Sequence, residues 1–270
     1  MKPALSELSP TEFLALSRIG FLPRGLVAGC CVFGAGTQYD WQVQTGEITA
    51  LSTAIRKARS LAVKRMRAQA ASLDADGVVG VRLEVEHDVW RGARLVARCV
   101  AVGTAIAFDR HHAPPELRDA SSLRLANHAP FNSDLKGHDL VTLLAAGFRP
   151  VTVAMGNCVY GLDPRQLRAY RGQDAEIVEF TQAFFDAREA AMDRLQKDLF
   201  SEGQRPGHPD APTGIVGMTV TEGTYGGQGS SGPPIVEFSA IGTAIAPLAP
   251  DDPRRGQGAP KPRMVVPLDR

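Results

Sequence analysis

Apolar and polar positions along the chain recur with two periods. From about Glu47 to Leu73, Leu51, Ile55, Ala58, Ala62, Met66 and Ala70 return every three or four residues. That spacing predicts a long helix with one buried stripe. Its other side carries Arg56, Lys57, Arg59, Lys64, Arg65 and Arg67, expected as a solvated basic face. A second helical pattern runs from about Ala175 to Leu199. Ile177, Phe180, Phe184, Ala187, Ala191 and Leu195 point inward there, and Glu179, Asp186, Glu189, Asp193 and Asp198 mix with basic residues outside.

Elsewhere the period is two. Val79, Val81, Leu83 and Val85 alternate with Gly80, Arg82, Glu84 and Glu86, as in a half-buried strand. The next strand, Leu95 to Phe108, joins it through a hairpin at 87–94. Leu26 to Phe33 is apolar or small at every position, the pattern of a strand covered on both faces. A short helix opens the chain. Ser9 suits its N-cap, Pro10 its first position, and Glu12 completes a capping box.

This order of elements occurs twice. GFLPRGLVAGCCVFG (20–34) and GFRPVTVAMGNCVYG (147–161) share Gly20/Gly147, Phe21/Phe148, Pro23/Pro150, Gly29/Gly156, Cys31/Cys158, Val32/Val159 and Gly34/Gly161. Further on, Glu47, Ile48, Ala54, Ala58, Arg59 and Arg65 correspond to Glu176, Ile177, Ala183, Ala187, Arg188 and Arg194. GVVGV (77–81) matches GIVGM (214–218), and GTAIA stands verbatim at 103–107 and 242–246. Four blocks in one order imply a tandem duplication. The expected division is a first module at 1–108, a linker at 109–136, a second module at 137–247 and a Pro-rich tail at 248–270. The tail's apolar cluster Met264-Val265-Val266 is left open between an edge strand and loose chain. The glycine-rich loop at 222–234 is expected to be mobile.

One helix covers only one face of a small sheet, so the other face requires a neighbour. Pairing between copies or between chains is therefore a physical expectation. Composition changes little here. Thirty basic against 29 acidic residues leave a net charge of +1, so no global field draws nucleic acid. The first 110 residues are nevertheless net basic and the remainder net acidic. The N-terminus lacks an apolar signal core and no run of 18 apolar residues occurs. With four cysteines inside apolar runs, these features point to a cytoplasmic protein with reduced thiols.

Candidate chemistry is sparse. Cys31 and Cys158 are equivalent in the repeat, and Cys30 and Cys99 complete the thiol set. Convergent thiolates would bind Zn(II) or Cu(I), and the competing reading is four small buried apolar residues. No CxxC, CxxxH or HxxxH spacing occurs. His87, His111, His112, His128 and His138 lie in or near predicted loops, where a divalent site is poorly held. Glu47 and Glu176 recur where the long helices begin, a place for carboxylates that cap first-turn amides. Arg59 and Arg188 are expected to pair with a carboxylate at a module or subunit contact. Gly34, Gly161, Gly80 and Gly217 read as places of close backbone approach. The sequence offers no recognisable catalytic set, which leaves an enzyme with a pocket between modules the weakest of the readings.

The run GLVAGCCVFG, then GEITALSTAIRKARSLAVKRMRAQAASLDADGVVGVRLEVE, then GTAIA, resembles the YbjQ-like family, often labelled heavy-metal-binding. The first copy, about 10–108, matches throughout, with Thr45 where the first glycine of a GGE turn is usual. The second is diverged and carries a Pro-Gly insertion at 203–218. The resemblance implies an α+β fold of two tandem dodecin-like β-α-β-β modules that assemble into rings, commonly pentamers. Five chains would then stack two pentameric layers, one per copy. The implied role is a non-enzymatic, ring-forming binding or scaffold protein, with soft-metal binding or sensing as the alternative. Beyond other copies of itself, a protein partner is expected at the basic helix 47–73 or the C-terminal tail.

Overall fold

The computed structural model describes residues 4–38, 45–90, 94–163, 165, 174–200, 207–225 and 234–256. The cluster at 264–266, the loop residues 226–233 and residues 203–206 of the insertion lie outside them. Four helices are described: α1 (Pro10–Arg18), α2 (Thr49–Ser72), α3 (Gly137–Ala145) and α4 (Val178–Asp198). The strands are β1 (Phe21–Gln38), β2 (Gly46–Glu47), β3 (Gly77–Trp90), β4 (Arg94–Phe108), β5 (Phe131–Asn132), β6 (Phe148–Gly161), β7 (Gly214–Tyr225) and β8 (Ile235–Pro247). The chain is thus α+β.

Local chemistry sets the helix starts and bends. Ser9 Oγ accepts from the Glu12 amide while the Glu12 carboxylate accepts from the Ser9 amide, the reciprocal cap expected. The stripe of α2 is buried as predicted, and Leu51, Ile55 and Met66 each contribute about 1.5–3 kcal/mol by leaving water. Gly80 and Gly217 sit at register shifts with φ of +62° and +67°, so they are bulge glycines in the left-handed region. Gly217 is also a close approach, since a Cβ there would lie 2.8 Å from Leu135 Cδ2, whereas Gly80 has open space. The closest approaches of helix backbone to sheet fall at Gly29 and Gly156. A Cβ there would lie 2.0 Å from the carbonyl oxygens of Ala62 and Ala191. Each lets a long helix lie directly on its sheet. Gly34 has open space around it.

The strands form two sheets, ordered β1-β4-β3-β5 and β2-β6-β8-β7. Both contain the same antiparallel trio, β1-β4-β3 and β6-β8-β7, each with one long helix against one face. Two exchanges tie them together. The short β2 leaves its neighbours in sequence and adds to the edge of β6, Gly46 opposite Gly161 and Glu47 opposite Tyr160. Then β5 runs parallel to β3 while Asn132 bonds both Thr152 Oγ1 (3.1 Å) and the Val153 amide (2.9 Å) in the other sheet.

Segment 109–136 is more than a tether. Leu117, Leu123, Leu125 and Phe131 are buried in a core shared with Leu16 of α1 and Leu140 and Leu144 of α3. Scattered single apolar residues, with no period, conceal this packing in the sequence. After β8, Asp252 and Arg254 form a buried ion pair that also holds Ser121.

The decisive feature is the placement of α2. Its stripe packs on Val27, Cys31, Ala97, Cys99 and Ala101 of the first sheet. Its opposite side meets Val153, Met155, Val159 and Ile241, the face of the second sheet turned away from α4. The layers therefore run first sheet, α2, second sheet, α4. Two copies stacked in separate layers would leave α2 on its own sheet alone.

Candidate functional site

The seam between α2 and the second sheet concentrates the polar chemistry. The Ile48 amide donates to the Val159 carbonyl at 2.8 Å, extending the strand pairing begun by β2. Ser52 then bridges twice. Its hydroxyl accepts from the Val159 amide at 2.9 Å, and its carbonyl accepts from Asn157 Nδ2 at 3.1 Å.

Glu47 lies in β2, ahead of the helix, whose N-cap is Ile48 with no side-chain cap. The expected dipole-capping role is therefore corrected. The β2 exchange carries the carboxylate across to α4, where Arg194 Nη2 donates to it at 2.7 Å. Arg194 Nη1 donates to the Asn157 carbonyl at 2.8 Å. Burial pushes the Glu47 carboxyl up, but hydrogen bonds from Arg194 and Ser52 and the charge of Arg194 outweigh it and hold the pKa below the usual value.

Arg59 lies where α2 meets the second sheet. It is not on a solvated face but buried, donating from Nη2 to Ser239 Oγ at 2.5 Å. Its Nε and Nη1 are among the buried polar atoms without a hydrogen-bond partner. Burial lowers its pKa, and the carboxylate of Glu237 is the strongest influence opposing that. Glu237 lies 3.4 Å from His87 Nδ1. A buried guanidinium in this setting tolerates little displacement, because each lost contact leaves a charge uncompensated.

The basic side of α2 is correspondingly not one free surface. Lys57 sits over the Phe33 ring at 5.4 Å, Arg65 donates to the Cys30 carbonyl, and Arg67 Nε donates to the Pro130 carbonyl. Arg56, Lys64 and Arg67, with His128, Thr152, Val153 and Met155, line a cleft of about 840 Å³ between the helix and the second sheet.

The thiols do not converge. Cys31 and Cys99 face each other across β1 and β4 beneath α2, while Cys158 lies in the other core beneath α4. Cys30 points to the opposite, exposed face. Burial pushes the thiols of Cys99 and Cys158 up to about 11, which disfavours the thiolate that a soft metal needs. Among the described residues no three His, Cys, Asp or Glu side chains come together as a metal-binding group. The histidines are dispersed too: His112 bonds Ser17 and His138 lies beside Glu12 and Asp139. Glu176 and Arg188 are exposed and Gly161 is buried opposite Gly46. Ile177, expected inside, is 39% exposed.

The residues that sequence reasoning missed are Ser52, Asn157, Glu237 and Ser239. Polar residues inside otherwise apolar strand runs were the signal for Asn157, Glu237 and Ser239, and Ser52, in the first turn of α2, had none.

The geometry defines an α+β protein in which a helix from one sheet-and-helix unit roofs the sheet of another. Its sequence places it more narrowly. The family model YbjQ, described as "Putative heavy-metal-binding", matches residues 24–109, the first of these units. A UPF0145 protein of Halalkalibacterium halodurans is 36% identical over 91 residues, 32% of this chain and 81% of that protein. A UPF0145 protein of Natronomonas pharaonis is 39% identical over 66 residues, 24% of this chain and 64% of that protein. An encapsulin nanocompartment protein of Mycobacterium tuberculosis is 38% identical over 272 aligned positions, 99% of this chain and 93% of that protein. The chain belongs to the YbjQ (UPF0145) family.

Proposed function

We propose that this chain is a non-enzymatic scaffold or binding protein that assembles with copies of itself. It is built from two β-α-β-β modules, 1–108 and 137–247, joined by the packed segment 109–136. One observation carries this reading: the layer stack ends in uncovered apolar surface on both sides. Leu26 and Val32 are exposed on the outer face of the first sheet, and Ile177, Val178 and Phe185 on the outer side of α4. Uncovered apolar patches on both ends of a stack favour association over solvation.

The name of the M. tuberculosis relative supports the same direction, since it describes that protein as part of an encapsulin nanocompartment. A self-associating chain of this kind suits work inside or on such a compartment, and a cytoplasmic location is part of this reading. No described helix is long and apolar enough to cross a membrane. The dispersed thiols give the soft-metal alternative no geometry to rest on.

The test is the mass of the native, full-length protein by light scattering after size exclusion at micromolar concentration. A discrete species at a multiple of 28.9 kDa is expected. A stable monomer would refute self-assembly.

A further inference from the structure

We propose that copies join head to tail, the outer side of α4 in one copy packing on the open face of the β1-β4-β3 sheet in the next. The contact repeats the one α2 makes with the β6-β8-β7 sheet inside a single chain. This deepens the self-assembly reading and rests on it.

The two halves of the missing contact are both present, on opposite sides of the layer stack. Within the chain, Val159 is 0% exposed and Asn157, Glu237 and Ser239 are buried beneath α2. Their counterparts in the repeat are Val32, Cys30, Arg98 and Val100. Val32 is 56% exposed, and Cys30 and Arg98 are exposed. On the helix, Ile48, Ser52 and Arg59 make the inner contact. Their counterparts Ile177, Thr181 and Arg188 lie along the outer side of α4, where Phe185 is 57% exposed. One sheet face thus lacks a roof and one helix lacks a floor.

The backbone repeats the pattern. Inside the chain, β2 covers the edge of β6 at Tyr160 and Gly161, and Ile48 continues onto Val159. The matching edge of β1, at Phe33 and Gly34, is a sheet edge, because β1 pairs only with β4 among the described strands. Residues 174–177, the counterparts of the β2 segment, have no strand structure. An edge strand of this kind accepts an added strand.

The charges agree as well. Arg194 holds the Asn157 carbonyl with one nitrogen and Glu47 with another. Arg65, its counterpart, holds the Cys30 carbonyl in the same way. The counterpart of Glu47 is Glu176, exposed just ahead of α4, at the far end of the layer stack. Glu176 of one copy therefore completes Arg65 of the next. Arg188 replaces Arg59, and the receiving face offers Glu84, in register with Val100, beside the exposed Glu86–Arg98 ion pair. The acid has moved one strand over from its place at Glu237.

The contact is heterologous, so it closes into a ring or runs on as a filament. Each chain brings two modules, and any closed ring contains an even number of them. A ring of five modules is not accessible to this chain.

Complementary single-end variants of the full-length protein test this. Val32→Asp spoils only the receiving face and Ile177→Asp only the donating helix. Each alone should remain near 28.9 kDa, with association weakened at least 100-fold. Mixed in equal amounts, they should form a dimer of twice that mass and stop there, because one good contact remains. As a second measurement, Thr181→Cys in otherwise unaltered protein should cross-link to Cys30 of the next copy under mild oxidation. Adding Cys30→Ser should abolish the ladder. A monomeric unaltered protein overturns self-assembly and this contact with it. An oligomeric protein whose mass survives both aspartates, with no Cys30-dependent cross-link, overturns this contact and leaves self-assembly standing.

Discussion

Replacing Gly156 by Ala tests whether α4 lies on its sheet for the reason given. The added Cβ would sit 2.0 Å from the Ala191 carbonyl oxygen and 2.7 Å from the Leu195 nitrogen. Both are helix backbone and cannot rotate away. Restoring ordinary contact moves the helix outward by about 1.4 Å, a gap that forfeits roughly half of the dispersion attraction across it. Ala183, Ala187, Ala191 and Leu195 all bury against this sheet and all lose contact together. Overpacking of cores costs about 1–3 kcal/mol, and a backbone clash with no soft partner belongs at the top, about 3 kcal/mol. Gly34→Ala is the control. It introduces the same methyl where nothing lies within 4 Å, so stability should change by less than about 0.5 kcal/mol, or rise slightly as the unfolded chain loses freedom. Urea unfolding at one fixed protein concentration measures both, because association would otherwise enter the midpoint. If Gly156→Ala loses under about 1 kcal/mol, or Gly34→Ala loses as much, the close-approach argument is wrong.

Three further outcomes are expected. Glu47 has a pKa held below its usual 4.5, so its stabilising bond to Arg194 is complete above that pH and is lost as the pH falls through the lower, folded value. Glu47→Gln should therefore lower the melting temperature at pH 7 and flatten the acid limb of the stability profile, and an unchanged acid limb would sink the pairing argument. Asp134 has the opposite sign: burial raises its pKa, outweighing a hydrogen bond from Thr243, so stability falls as the pH rises from 3.8 through the folded value. Asp134→Asn should raise the melting temperature at pH 7 and lose that advantage near pH 3, as scanning calorimetry would show. Cys99 and Cys158, buried and with thiols near 11, should stay unreactive to a disulfide reagent at pH 8 until urea unfolds the protein, and fast native labelling of either would refute their placement.

How much of this was legible in the sequence follows from what kind of contact each residue makes. The stripes of α2 and α4 were readable because they bury against strands of the same unit, and helical spacing records that burial. The order helix, strand, long helix, strand pair was readable twice for the same reason. Helical spacing puts Arg59 opposite the first stripe, on a face expected to be solvated, while its recurrence as Arg188 points to a carboxylate at a module or subunit contact. That side of the helix meets the second sheet, where Arg59 bonds Ser239. Glu47 was placed at a helix N-terminus, its position in sequence, whereas the β2 exchange commits it to another sheet. Cys30, Cys31 and Cys158 invited a shared site, but neighbours on a strand face opposite ways and equivalents in a repeat lie in separate cores. Segment 109–136 hid its packing because four isolated apolar residues carry no period.

The shortage of large residues on the helix stripes has a structural consequence for assembly. A helix roofed by two sheets must keep both faces near its axis. Ala54, Ala58, Ala62 and Ala70 in α2 do this on one side, and Gly29 lets the first sheet approach the backbone itself. Ala183, Ala187, Ala191 and Gly156 repeat the arrangement in α4. Yet α4 contacts only one sheet in the single chain, and its outer side has acquired Phe185 where α2 has Arg56. In the proposed assembly the two units thus make two separate interfaces, which a single-copy unit would be obliged to make identical. The inner one has become polar and buried around Arg59, Ser239 and Glu237, fixed by covalent connection. The outer side of α4 carries the larger apolar Phe185 and Val178, which suits the proposed contact, since association of separate chains must also offset lost freedom.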